Sequence, residues 1–155
     1  MDVTVTIRPM APDDADRLLA FHSRLSDDTT YLRYFSPHPH LSPREVVRFT
    51  VVDHLEREAF VAVEGDDIVG VGRYDRRPGT ADAEVAFVVE DRWQDRGIGT
   101  RLMERLMERA REVGIERLVG ETLAGNRRML KLFRRVGGTT TFTGDGVAEA
   151  VVPLR

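Results

Sequence analysis

Residues 84–100, Glu-Val-Ala-Phe-Val-Val-Glu-Asp-Arg-Trp-Gln-Asp-Arg-Gly-Ile-Gly-Thr, combine residue types and spacing that suit chemistry on an anion. An apolar run over 83–89 leads to Gly97-Ile98-Gly99, and Leu102, Met103, Leu106, Met107 and Ala110 then recur at helical spacing. A buried strand that turns over glycines into a helix aims successive backbone N–H groups at one point. Glycines let a ligand come close, so the turn suits a pyrophosphate. A Walker A loop is excluded, because Gly-Lys-Ser/Thr occurs nowhere. A Rossmann fingerprint needs a third glycine where Leu102 stands. A plain strand–turn–helix corner is the remaining alternative for a glycine pair. What sets this one apart is Gln94-x-x-Gly97-x-Gly99, with a helix capped by Asn126 one strand later.

The elements that must position this turn follow from periodicity and punctuation. Val, Thr, Val, Thr and Ile alternate over 3–7 as a strand ended by Pro9. Pro12 opens a helix with Leu18, Leu19, Phe21, His22 and Leu25 on one face, and Ser26-Asp27-Asp28 starts a second carrying Tyr31, Leu32, Tyr34 and Phe35. Residues 36–40, Ser-Pro-His-Pro-His, form a loop because proline disfavours helix at and before itself. Ser42-Pro43-Arg44-Glu45 is a helix start with a capping box. The spacing predicts a hairpin of 59–63 with 68–73 around Gly65-Asp66-Asp67, then a most apolar, central strand at 83–89. After the glycine turn come a helix stopped by Gly114, a strand at 116–122, a helix from Asn126 stopped by Gly137-Gly138, and a hairpin of 139–142 with 147–152. The order β-α-α-α-β-β-β-α-β-α-β-β is a mixed α/β domain.

The chain has 155 residues, 41% hydrophobic and 32% charged, the range of one ordinary domain, 1–155. With no cysteine it has no disulfide framework, no Cys-ligated metal and no cysteine thioester route. A net charge of −3 argues against a nucleic-acid footprint. No apolar run approaches the ~18 residues of a membrane span, and the first residues lack a signal-peptide pattern. The expectation is a cytoplasmic monomer without nucleic-acid or membrane partners. Of the 23 basic residues only Lys131 is a lysine.

The glycine turn and the element order resemble the GNAT superfamily of acetyl-CoA-dependent N-acetyltransferases over essentially the whole chain. Gln94, Gly97 and Gly99 match that family's Arg/Gln-x-x-Gly-x-Gly/Ala signature, and Asn126 falls where the family starts the helix that meets coenzyme A. Residues 25–36, Val52-Asp53-His54 with Arg57, residues 83–89 and residues 94–99 together look like bacterial Pat-type protein lysine acetyltransferases. Such enzymes acetylate the active-site lysine of acetyl-CoA synthetase and related AMP-forming acyl-CoA synthetases. Many carry a further regulatory or synthetase-like domain, for which these 155 residues have no room, so the expectation is either a stand-alone enzyme or an excised catalytic domain. The resemblance implies a mostly antiparallel six- to seven-stranded sheet flanked by helices and splayed between its fourth and fifth strands.

It also implies roles. Glu84 aligns with the general base that frees a lysine amine, whose reference pKa is ~10.4; its apolar neighbours should raise its pKa, and the alternative is a solvated strand glutamate. The main chain of Phe87, Val88 and Val89 would pair with pantetheine, with an oxyanion meeting an N–H near Val89. Gln94, Asp95, Arg96, Gly97, Ile98, Gly99 and Thr100 would cradle the pyrophosphate, although Arg96 reads equally as a surface arginine. Asn126, Met129 and Phe133 would complete the cofactor site. Phe133 stands where many relatives have the tyrosine that protonates the leaving thiolate, so that side-chain acid is missing. Arg33, His38 and His40 lie on the acceptor side: Arg33 either anchors the loop or meets an acidic substrate, and the histidines either touch ligand or sit exposed. His38-x-His40 has no partner at zinc spacing, so no metal is expected. The basic residues of 127–135 form a solvated face from which one or two reach the coenzyme's 3′-phosphate. Two other readings stay open: acetylation of a small amine, and a non-catalytic acyl-CoA sensor.

Overall fold

The computed structural model describes residues 4–154. Seven strands form one sheet in the order β1-β2-β3-β4-β5-β7-β6. They are β1 (Thr6–Pro9), β2 (Arg57–Glu64), β3 (Asp67–Arg76), β4 (Asp82–Val89), β5 (Arg117–Leu123), β6 (Thr139–Phe142) and β7 (Val147–Pro153). The helices are α1 (Ala15–Ser23), α2 (Asp27–Tyr34), α3 (Pro43–Thr50), α4 (Ile98–Glu112) and α5 (Arg127–Arg135). β4 is the central strand, as its apolar sequence implies. The strand expected at 3–7 lies at Thr6–Pro9, with Val3 outside the described residues; Pro9 is tolerated because β1 is an edge, paired with β2 alone. Phe35, expected in α2, instead ends it in the left-handed conformation at φ 62°.

Neighbouring strands pair antiparallel except β4 and β5, which run parallel over only Asp82–Arg117, Ala83–Leu118 and Glu84–Val119. Past Glu84 they diverge. One face of the sheet packs on α4 and α5 through Leu102, Met103, Leu106, Leu118 and Phe133. Burying each such side chain contributes about 1.5–3 kcal/mol. The opposite face packs on α1 through Leu18, Phe21, Val61, Ile68 and Val71. No helix among the described residues is long and apolar enough to cross a membrane.

Asp14 fastens the chain's entry into the fold. Its carboxylate is buried and accepts two hydrogen bonds from the Arg8 guanidinium, at 2.7 and 2.8 Å, and one from the Ala11 N–H at 2.8 Å. The Arg8 bond, outweighing the cost of burial, holds this carboxyl below its usual range. A depressed folded pKa adds stability above the unfolded value, near 3.9, that is lost as pH falls through the folded value. Asp14→Asn should therefore cost about 1–3 kcal/mol at pH 7, and urea titrations of both proteins should show the gap narrowing toward acid.

Candidate active site

The divergence of β4 from β5 opens a cavity of about 320 Å³ into the middle of the sheet. Residues 85–89 form one wall, Glu121 and Thr122 of β5 the other; the turn 97–100 closes one end, and Asn126, Met129 and Phe133 of α5 line the side. Beyond Glu84 the inner edge of β4 has lost its strand partner, leaving backbone groups toward the cavity that a ligand must satisfy. Among the described residues two further polar atoms are buried without partners, the Trp93 Nε1 and the Thr122 Oγ1, and both residues line the cavity.

The turn is held by a small polar network. Gln94 Nε2 donates to the Val89 carbonyl at 2.9 Å and to Thr29 Oγ1 at 3.3 Å. Asp91 accepts from the Ser26 hydroxyl at 2.6 Å, the Ser26 N–H at 3.0 Å and the Thr29 hydroxyl at 2.9 Å, locking the start of α2 onto the end of β4. Burial raises the Asp91 pKa, but these hydrogen bonds outweigh it and hold the carboxyl below its ordinary value. Glu90 is buried between Arg24 at 2.7 Å and Arg92 at 2.8 Å. Asp95 takes φ 62°, and its exposed carboxylate accepts from Arg128 of α5 at 3.0 and 3.2 Å. Gly97 is left-handed at φ 80° and caps α4. Asn126 caps α5, accepting from the Met129 N–H at 3.3 Å.

The structure brings the cofactor residues expected from the sequence to this one cavity, with one exception. Arg96 lies outside it, with its guanidinium 5.0 Å from the Trp93 ring centre. Among the basic residues of α5, Arg128, Lys131 and Arg135 border the cavity. The Phe133 ring is fully buried, with its Cζ against Gly120, where any Cβ would lie 2.7 Å away.

On the acceptor side the picture differs. His38 is stacked on Tyr34 at 4.2 Å, its Nε2 lies 2.8 Å from Glu45 Oε2 and its carbonyl 2.7 Å from His22 Nε2, so its ring is spent on the loop. His40 is exposed, and neither histidine borders the cavity. Arg33 does. No group of three or more His, Cys, Asp or Glu suited to a metal occurs among the described residues. The apolar surroundings expected for Glu84 are absent: its carboxylate is 62% exposed and pairs with Arg77 at 3.1 Å. Alternation puts it on the face of β4 shared with Ala86 and Val88, exposed at Glu84 and half-buried at the other two, which border the cavity. The sequence reading missed Glu121. Register sets Glu84 opposite Val119, so Glu121, two residues on, falls on the same face as Glu84 and Ala86 where the strands part, which only the strand pairing reveals.

The site fits the acetyl-CoA implied by the resemblance: an unpaired strand edge for an amide-bearing arm, a helix N-terminus for phosphates and cations beyond it. The two glycines of the turn have different tasks. A Cβ on Gly97 meets nothing within 4 Å, so the obstacle there is backbone conformation, about 1–2 kcal/mol for a left-handed L-residue. A Cβ on Gly99 makes an ordinary 3.6 Å contact with Leu132. Gly97→Val should weaken acetyl-CoA binding at least ten-fold by calorimetry, and Gly99→Ala should change it less than three-fold.

The acetyltransferase (GNAT) family matches residues 20–138. Acetyltransferase Pat of Mycolicibacterium smegmatis is 33% identical over 152 residues, 96% of this chain and 45% of that protein. Acetyltransferase PA5475 of Pseudomonas aeruginosa is 30% identical over 137 residues, 86% of this chain and 74% of that one. The crystal structure of the GNAT domain of S. lividans PAT superposes with a TM-score of 0.91 at 39% identity, covering 96% of this chain and 90% of that one. The chain thus spans less than half the length of the Mycolicibacterium relative. With a central strand split from its parallel neighbour, a Gln-x-x-Gly-x-Gly turn over the gap and a family match across most of its length, this chain belongs to the GNAT family of acetyltransferases.

Proposed function

We propose that this domain is a protein Nε-lysine acetyltransferase of the Pat type, acting on the active-site lysine of an AMP-forming acyl-CoA synthetase. The observation that carries it is the likeness to Pat proteins along nearly the whole domain. Acetyl-CoA supplies the thioester carbonyl. The turn 94–100 binds its pyrophosphate, and the open edge of β4 aligns the arm that bears the thioester. A main-chain N–H near Val89 meets the oxygen as charge develops on it.

The lysine must lose a proton before its nitrogen can attack. Glu84 receives that proton through water at its exposed position on β4, two residues or roughly 7 Å along the strand from Ala86 at the cavity rim. The new bond is N–C, the broken bond C–S, and the departing sulfur takes its proton from water, since Phe133 offers none. A thiol with a reference pKa near 8.5 leaves without a side-chain acid. With no cysteine in the chain, transfer is direct within a complex of both substrates. Glu121 is the competing base: it lines the cavity itself.

The test is mass-spectrometric acetylation of a bacterial acetyl-CoA synthetase by wild type, Glu84→Gln and Glu121→Gln. One modified lysine in the synthetase active site is expected, with turnover in Glu84→Gln about 10²-fold lower and acetyl-CoA affinity within two-fold. Loss confined to Glu121→Gln would move the base to β5. No modification by wild type with acetyl-CoA still bound would point to a small amine or to a sensor.

A further inference from the structure

The sheet face that carries Glu84, Ala86 and Val88 also carries Arg73, the register partner of Ala86 on β3. Arg73 is only 8% exposed. Its guanidinium lies over the Phe49 ring at 4.4 Å, and its one hydrogen bond among the described residues is a long one, 3.4 Å, to the Phe49 carbonyl. Arg33 of α2 comes to the same pocket from above, over the Tyr34 ring at 4.6 Å, and has no hydrogen bond among the described residues. Neither guanidinium has a carboxylate within 4.0 Å there. Asp75, which faces the same way, is taken by Arg57 at 3.0 Å and Arg48 at 3.6 Å.

Elsewhere the fold gives its buried charges partners: Asp14 has Arg8, Glu90 has two arginines, Glu58 has His54 and Arg109. Two neighbouring cations, one buried and one half-buried, with no carboxylate in contact are therefore out of pattern and costly, by desolvation and by mutual repulsion. Burial first, and the charge of Arg33 second, pull the Arg73 pKa down to about 9. An anion between them would remove both costs, and the planar guanidinium fork matches a carboxylate. The pocket that both arginines line measures about 20 Å³, room for one small group, and its other walls include Ala86 and Val88 of β4 and apolar side chains such as Phe21 and Phe49. Arg33, Ala86 and Val88 also border the large cavity, so the pocket opens beside the place where an acceptor amine must enter.

We propose that Arg33 and Arg73 form a carboxylate subsite for the acceptor, selecting amines that carry an acidic group close to the reacting nitrogen. The proposal rests on the acetyl-transfer reading. Its chemistry is a carboxylate, supplied either by an acidic side chain beside a peptide lysine or by a small amino acid.

Two acceptor panels separate these sources: lysine peptides with Glu or the matched Gln within three residues of the lysine, and small amino acids with their carboxamides. Wild type should prefer acid over amide at least ten-fold in kcat/KM in one panel, mainly through KM. Arg33→Gln should bring that ratio to within two-fold of unity, with acetyl-CoA affinity retained. No acid preference in wild type, or an equal loss on acid and amide in the variant, overturns the subsite. A second readout does not depend on turnover: arginine Nε–H resonances of the CoA-saturated protein, titrated with glutarate. Saturable shifts at Arg33 and Arg73, absent in Arg33→Gln, uphold the subsite even if neither panel is acetylated, an outcome that would count against the transfer reading alone. No shift overturns the subsite.

Discussion

The domain is organised around a strand in the centre of a sheet that has lost one neighbour. β4 is paired with β3 from Ala83 to Val89 but with β5 at three positions only among the described residues. Backbone N–H and C=O groups in a protein interior need partners, so this inner edge is tolerable only as a place for something else to bind. The departure is built, not accidental. At Gly120 the strand lacks a side chain, and the tip of the Phe133 ring fills that space against Val85. One turn of α5 toward its N-terminus Met129, and one turn further the cap residue Asn126, line the opening. A larger residue at 120 would meet the ring, so the close approach of α5 to β5 and the shape of the cleft depend on the same glycine.

Polar fastening concentrates where this opening would otherwise loosen the fold. The end of β4 is gripped from three sides: Arg24 from α1 on Glu90, Ser26 and Thr29 from α2 on Asp91, and Gln94 back onto the Val89 carbonyl. The contacts of Arg24, Ser26 and Thr29 link residues more than sixty positions apart, and together with Gln94 they hold the turn over the cavity. The exposed Asp95–Arg128 pair is a weaker tie, as surface ion pairs are, but it joins the turn to α5 across the same gap. Against this background the isolated guanidinium groups of Arg33 and Arg73 stand out, because the fold has carboxylates and spends them elsewhere.

Much of the site was legible in sequence because its determinants are local. Gly97 is required by its own φ, Asn126 caps the helix it begins, and an apolar strand before a glycine turn announces a buried corner. The family resemblance then named the ligand for that corner. Glu84 shows where local reading fails. Its sequence neighbours are apolar, but they alternate to the other face, and the residue that meets its carboxylate, Arg77, sits in the loop after β3. His38 fails likewise: a loop histidine looks free until Tyr34, His22 and Glu45 arrive from three helices.

The amino-acid sequence by itself determined the elements, the central strand, the phosphate-type turn and the family, since hydrophobic period, caps and glycines act within a few residues of where they stand. Tertiary structure alone decided which charges are spent and which are free, that Glu121 and Thr122 border the cavity, and that Arg33 meets Arg73. Those outcomes depend on strand register and helix placement, which bring together groups tens of residues apart, and a charge's partner is set by that distance in space, not by its neighbours in the chain.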